Sequence, residues 1–529
     1  LQIKTAIVSM YSGARYMAGK SIYRFMVIAL FLFPVTFTGA QEVIRHSHDE
    51  HETLPFATLK AATDYLQTDD RIDILFYHIS IEPIIAGENA KSIIGSVRIR
   101  FRPVQNNVNA VRFNLRNTFT ISSIESTHTI NNWSHTDHLI TLNFQANLNL
   151  GDTTEIVINY SGSPETPSNA PNKGFRFETH GSDIPVIYTA NTPYLAHYWY
   201  PCKDGPSDKA DSVRVDIIVP KNQYNDYPLI GVSNGLKIGE EDLGVDKKKY
   251  IWLHRYPIVP YYVLIAISNY EEYIVNYANN GHDFPLIYYM YPEESDTSKD
   301  GVSIMPKAMD AFIHYFGDYP FKCEKYGMTR VPNVAIEKQT NAIMRSLAST
   351  AQPTMVHELA HMWFGNSITN KSWQHIWLNE GFVTYAEALC ARYLGNETHD
   401  DEVAYANALN MYINSMFNDT QTLFKSNDED YGNLFVSFYY AKGAAVLHML
   451  RGYINNDNVF FPMLKAYAQA PQFKYGYATT EDFRDFVEIY TGLELDKFFH
   501  QWIYEPGYIK YEYNYEVFTQ DNLIGIRVD

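Results

Sequence analysis

At 529 residues the chain exceeds what one ordinary hydrophobic core organises, so several domains are expected. A hydrophobic fraction of 46% with 19% charged residues excludes intrinsic disorder, and a formal net charge of −18 argues against nucleic acid as a partner, because it repels phosphate backbones. Three cysteines (Cys202, Cys323, Cys390) allow at most one internal disulfide and fit no cysteine-based zinc site; Cys390, at an apolar helical position, reads as a small core residue.

In chain order, Arg15, Lys20 and Arg24 precede an apolar run from Phe25 to Phe37, closed by Thr38-Gly39-Ala40. This is the layout of a signal peptide over residues 1–40, cleaved after Ala40, with a start at Met10 or Met17. Pro34 breaks the run, which is shorter than the roughly 20 residues a spanning helix needs, so a secreted or periplasmic protein without stable membrane insertion is expected. Residues 41–70 read as a polar linker whose His46, His48 and His51 are solvated. Over 71–270 the pattern is that of strands: Ser96-Val97-Arg98-Ile99-Arg100-Phe101 and Val213-Arg214-Val215-Asp216-Ile217 alternate apolar and polar, as half-buried antiparallel strands do. The period then changes. Ile304, Ala308, Met309, Phe312, Ile313 and Phe316 follow helical spacing, a strand is expected near Tyr326–Val331, and helices dominate from Ala404 to Trp502 within a catalytic region spanning 271–505. Residues 506–529, with strand character at Tyr511–Val517, read as an added strand or the stub of a truncated β domain. The fold class is therefore multidomain α+β.

The sharpest chemical signal is His357-Glu358-Leu359-Ala360-His361. Residues four apart on a helix lie on one face about 5–6 Å from each other, so both imidazoles can converge on one ion. Glu358 is rotated about 100° from His357, which aims its carboxylate beside the metal. Burying two histidines and a glutamate in so apolar a helix is unfavourable without an ion to bind. A catalytic zinc takes three protein ligands and leaves a position for water. Glu380, on a second expected helix with eighteen residues between it and His361, supplies the third. Glu387, seven positions further on the same face, can hold a ligand imidazole from behind.

His357-Glu358-Leu359-Ala360-His361-Met362-Trp363-Phe364-Gly365-Asn366, with Asn379-Glu380-Gly381-Phe382, resembles the gluzincin zinc aminopeptidases, the family of aminopeptidase N and leukotriene hydrolase. The likeness takes in Trp199–Asp204, Ser207–Asp211 and Gln501–Tyr504. It implies a saddle-like N-terminal β domain, a thermolysin-like zinc catalytic domain, C-terminal helices, one zinc ion, and peptide substrates shortened from the N-terminus. With zinc acidifying the attacking water, Glu358 would take its proton as general base and return it to the leaving amine. Phe438-Tyr439-Tyr440-Ala441-Lys442-Gly443-Ala444 looks like the family's Tyr-x-Lys-Gly-Ala segment, which implies Tyr440 as oxyanion donor and leaves Tyr439 to the core. Val334-Ala335-Ile336-Glu337-Lys338 fills the place of the family's Gly-x-Met-Glu-Asn motif, and Glu337 matches the glutamate that holds the substrate ammonium. Val334, Ile336 and Lys338 depart from that motif, and Thr192 stands where many members place a Glu or Gln. Two alternatives stay open on these departures: a zinc endopeptidase or other hydrolase without a strict free-amine requirement, and a non-catalytic peptide-binding homologue.

Overall fold

The computed structural model describes residues 68–528 apart from 168–172, 280, 413–419, 426–433, 508–514 and 521–522. The signal-peptide run and the linker through residue 67 lie outside these residues. Among the described residues no helix is long and apolar enough to cross a membrane.

The N-terminal part is built on a seven-stranded sheet in the order Leu236–Leu243, Lys247–His254, Ser212–Pro220, Ile72–Ile84, Ser92–Pro103, Thr154–Gly162, Phe119–Ser126. Strict alternation in Ser92–Pro103 turns Val97, Ile99 and Phe101 inward and Arg98 and Arg100 outward. One pairing departs from an all-antiparallel reading: Ile72–Ile84 runs parallel to Ser212–Pro220, with Tyr77 opposite Val213. A local sequence pattern does not record this, because the two strands are joined through the rest of the domain. A four-stranded sheet (Ile230–Val232, Ala266–Ser268, Ile184–Ala190, Gly174–His180), a three-stranded one and the short pair Gln223–Tyr224 with Tyr227–Pro228 also belong to this part.

After Ser268 the chain enters a separate four-stranded sheet of Glu271–Asn279, His282–Met290, Tyr326–Arg330 and Ala342–Met344, the last three mutually parallel. An isolated antiparallel bridge joins Ile336 to Ile343 in the edge strand Ala342–Met344, so the segment leading to Glu337 forms the rim of this sheet. The helices of this part are α1 (Met305–Phe316), α2 (Gln352–Ala360, with Pro353 in its first turn), α3 (Trp377–Leu394) and α4 (Ser437–Ile454); α2 meets the strand Ala342–Met344, and α3 packs on α1, α2 and α4. Helices α3 and α4 approach at two glycines. A Cβ on Gly443 would lie 2.7 Å from the Gly381 Cα, so only glycine lets the two backbones meet there. Trp363, Trp373 and Trp377 are fully buried, and the Trp377 carbonyl lies against the Gly443 position. Within residues 506–529, read as an added strand or the stub of a truncated β domain, Tyr515–Gln520 pairs antiparallel with Leu523–Val528, while residues 511–514 of the expected strand lie outside the described residues. All three cysteines are free; Cys202 and Cys390 are buried, so the one disulfide the count allowed is absent.

Candidate active site

Helix α2 carries His357 and Glu358 and ends at His361, while α3 brings Glu380 across from it. The Nε2 atoms of His357 and His361 lie 3.2 Å apart, and Glu380 Oε2 is 3.5 Å from the first and 3.4 Å from the second. Each imidazole is oriented from behind. Nδ1 of His357 donates to Glu387 Oε1 at 2.8 Å, and Nδ1 of His361 donates to the Phe364 carbonyl at 3.0 Å. Glu387 is itself held by the Tyr412 hydroxyl, 2.7 Å from Oε2. With Nδ1 protonated, a neutral ring presents a bare Nε2, and both lone pairs face one another and a carboxylate oxygen.

The donor set fits a divalent cation. Glu380 Oε2 and Glu358 Oε2 are buried and have no hydrogen-bond partner among the described residues. Buried carboxylate oxygens left unpaired are unfavourable, and an ion among the three ligand atoms answers Glu380 and both imidazoles together. Without an ion the cluster must share protons instead. Burial works against charge on every group here. Even so, Glu380 and Glu387 hold His357 well above the usual imidazole value, while His361 and His357 keep Glu380 well below the usual carboxylate range. Burial pushes Glu358 up to about 8, against the pull of His357 and His361.

Glu358 stands outside the triad of ligand atoms but beside it. Glu337, Glu358 and His361 each offer an atom within 4.8 Å of the others, and all three are buried. The ring of Tyr440 lies 5.8 Å from that of His357 at an interplanar angle of 20°. Burial and the nearby charges of Glu380, Glu337 and Glu358 keep its phenol well above the usual value, so it remains a donor. Tyr439, the neighbour assigned to the core, is buried at 3% exposure.

Lys338 does not take up Glu337. It is fully buried and its Nζ donates to the Tyr261 carbonyl. Thr192 is buried and its hydroxyl has no partner among the described residues; its carbonyl accepts from Lys173 at 3.2 Å. Two residues the motifs did not single out belong to the site. The Tyr262 hydroxyl donates to Glu337 Oε1 at 2.9 Å, and the Asn366 amide donates to the Glu337 carbonyl at 3.0 Å. Asn366 lay inside the quoted motif but without a role. Tyr262 is one of 42 tyrosines and reads in sequence as packing.

Two imidazoles and a carboxylate on adjoining helices, with a second carboxylate and a phenol at their side, define a centre of the metallohydrolase class. Comparison with known proteins carries this to a family. The model of the peptidase family M1 domain matches residues 307–502, and that of the peptidase M1 N-terminal domain matches 75–262. Aminopeptidase M1-A of Oryza sativa subsp. japonica is 26% identical over 405 residues, 70% of this chain and 42% of its own. Glutamyl aminopeptidase of Homo sapiens is 25% identical over 351 residues, 63% of this chain and 35% of its own. The chain thus spans about two fifths of the length of the curated relatives it matches. Among solved structures, an M1 zinc metallopeptidase from Deinococcus radiodurans superposes with a TM-score of 0.68 at 21% identity, covering 84% of this chain and 95% of that one. A two-domain M1 zinc metallopeptidase bound to L-tryptophan gives 0.70 at 20% identity, covering 84% and 96%. The chain belongs to peptidase family M1.

Proposed function

We propose that this chain is a zinc-dependent aminopeptidase that removes residues one at a time from peptide N-termini. The observation that carries the reading is a carboxylate, Glu337, within 4.8 Å of Glu358 and His361. That is where a carboxylate must stand to hold the ammonium of a residue whose following peptide bond meets the metal. His357, His361 and Glu380 would hold one zinc ion, which supplies Lewis acidity to the scissile carbonyl and the attacking water.

The rest falls to the chain's own side chains. The Glu358 carboxylate accepts the water proton and delivers it to the departing amine nitrogen. The Tyr440 phenol, kept protonated by its surroundings, donates to the oxygen that gains charge as the carbonyl becomes tetrahedral. Glu337 accepts from the substrate ammonium, with Tyr262 and Asn366 fixing its carboxylate and its backbone. Glu387 keeps His357 in the tautomer that leaves Nε2 bare. On this reading residues 71–270 serve as the β domain and 271–505 as the catalytic region. The leader pattern of residues 1–40 supports a secreted or periplasmic location.

The departures at Val334, Ile336, Lys338 and Thr192 favour a second reading, a zinc hydrolase that tolerates a blocked N-terminus. A pair of fluorogenic peptides, one with a free amine and one N-acetylated, separates the two. Cleavage confined to the free amine supports the aminopeptidase. Equal cleavage of both supports the second reading, and zinc-loaded protein that cleaves neither contradicts both.

A further inference from the structure

Lys209 lies in the loop before strand Ser212–Pro220, in the N-terminal domain, and is 7% exposed. Its Nζ donates to three backbone carbonyls: Asn366 at 2.9 Å, Ser367 at 3.0 Å and Gly476 at 2.9 Å. The ammonium also sits over the Tyr477 ring, 5.3 Å from its centroid. Among the described residues no carboxylate pairs with it. One side chain therefore joins the N-terminal domain, the turn that follows α2, and the strand Tyr477–Ala478 of the helical region.

That turn has two clients in the site. It folds back on the end of α2, with the amides of Asn366, Ser367 and Ile368 donating to the carbonyls of His361, Met362 and Trp363. Within it the Phe364 carbonyl accepts from Nδ1 of His361, and the Asn366 side chain holds the Glu337 carbonyl. The segment of Lys209 also braces a third group, because Ala210 and Ile258 exchange backbone bonds of 3.0 Å four residues before Tyr262. Burying an ammonium is unfavourable, and burial alone pushes Lys209 well below the usual amine value, so packing alone would be served better by an apolar residue.

We propose that Lys209 is a positioning residue: by locking the 364–367 turn it sets the distance between the metal ligand His361 and the amine anchor Glu337. This rests on the roles given to those two residues above. In Lys209→Met, close in length but uncharged, KM for a free-amine anilide is expected to rise about ten-fold. Zinc loss to a chromogenic chelator, measured well below the melting temperature, is expected to quicken by about ten-fold. Asn366→Ala should raise KM likewise, and the double variant should be no worse than the worse single one, because both loosen one turn. A folded Lys209→Met with KM and zinc release within about two-fold of the parent overturns the proposal, as do effects that multiply in the double variant. If Lys209→Met does not fold, Lys209→Arg answers instead. A guanidinium keeps the charge but cannot aim one nitrogen at three carbonyls, so both readouts should move the same way. Zinc release needs no substrate, while the free-amine and acetylated pair tests the aminopeptidase reading on the parent chain, so the two can fail separately.

Discussion

Nδ1 of His357 donates to Glu387 at 2.8 Å, across from α2 to the second turn of α3 beyond Glu380. The bond fixes which imidazole nitrogen is free, and the carboxylate adds basicity to the ring. Glu387→Ala is expected to lower zinc affinity by roughly 10–100-fold while leaving the fold intact. Competition with a chelator of known affinity measures it. An unchanged affinity would mean that packing alone holds His357.

Tyr262 holds Glu337 with a single hydrogen bond of 2.9 Å in a fully buried setting. Tyr262→Phe leaves the carboxylate in place but freer to turn, a loss of about 1 kcal/mol of orientation. KM for free-amine substrates should rise about five-fold with kcat nearly unchanged, since 1.4 kcal/mol corresponds to a factor of ten. Any cleavage of the acetylated peptide should stay as it was. A fall in kcat with KM constant would place Tyr262 at the chemical step instead.

Glu358 and Tyr440 are assigned to proton transfer and oxyanion stabilisation, not to metal binding. Glu358→Gln and Tyr440→Phe should each lower kcat by about 10²-fold or more with zinc content unchanged. Elemental analysis of the same samples separates the roles. Zinc missing from Glu358→Gln would show that base and ligand have been exchanged.

Lys338 gives a pH signature. Burial lowers its ammonium to about 7, against the opposing pull of Glu337. A lysine whose folded value is depressed contributes stability that is present above its unfolded value of about 10.4 and lost as pH falls towards 7. Lys338→Met should therefore be more stable than the parent at pH 6.5. The gap should narrow as pH rises from about 7 towards 10. Paired thermal melts across this range read it, and a gap independent of pH would mean that Lys338 stays solvated.

What the sequence made legible follows from locality. His357 and His361 lie four apart on one short helix, so spacing alone placed them on one face and turned Glu358 to its side. Glu380 and Glu387 share a helix, and their separation of seven residues put them on one stripe. The alternation that marked Ser92–Pro103 as a strand is equally local. Tyr262 went unmarked, and Lys209, though inside the quoted Ser207–Asp211 segment, carried no role there, for the opposite reason. They reach Glu337 and the Asn366 turn across 75 and 157 residues of chain, and nothing near either one announces the partner. The parallel pairing of Ile72–Ile84 with Ser212–Pro220 was hidden likewise. Lys338 was legible as a departure, but its bond to the Tyr261 carbonyl follows from a loop whose path only the fold defines.

The central claim is that His357, His361 and Glu380 grip one zinc ion on which hydrolysis depends. It is tested most directly by stripping the protein with a chelator and titrating zinc back while following cleavage of a free-amine peptide. Activity should return linearly and saturate at one equivalent of zinc, with no return in Glu380→Ala at the same concentrations. Full activity in the stripped protein, or saturation unaltered by loss of Glu380, would contradict the account.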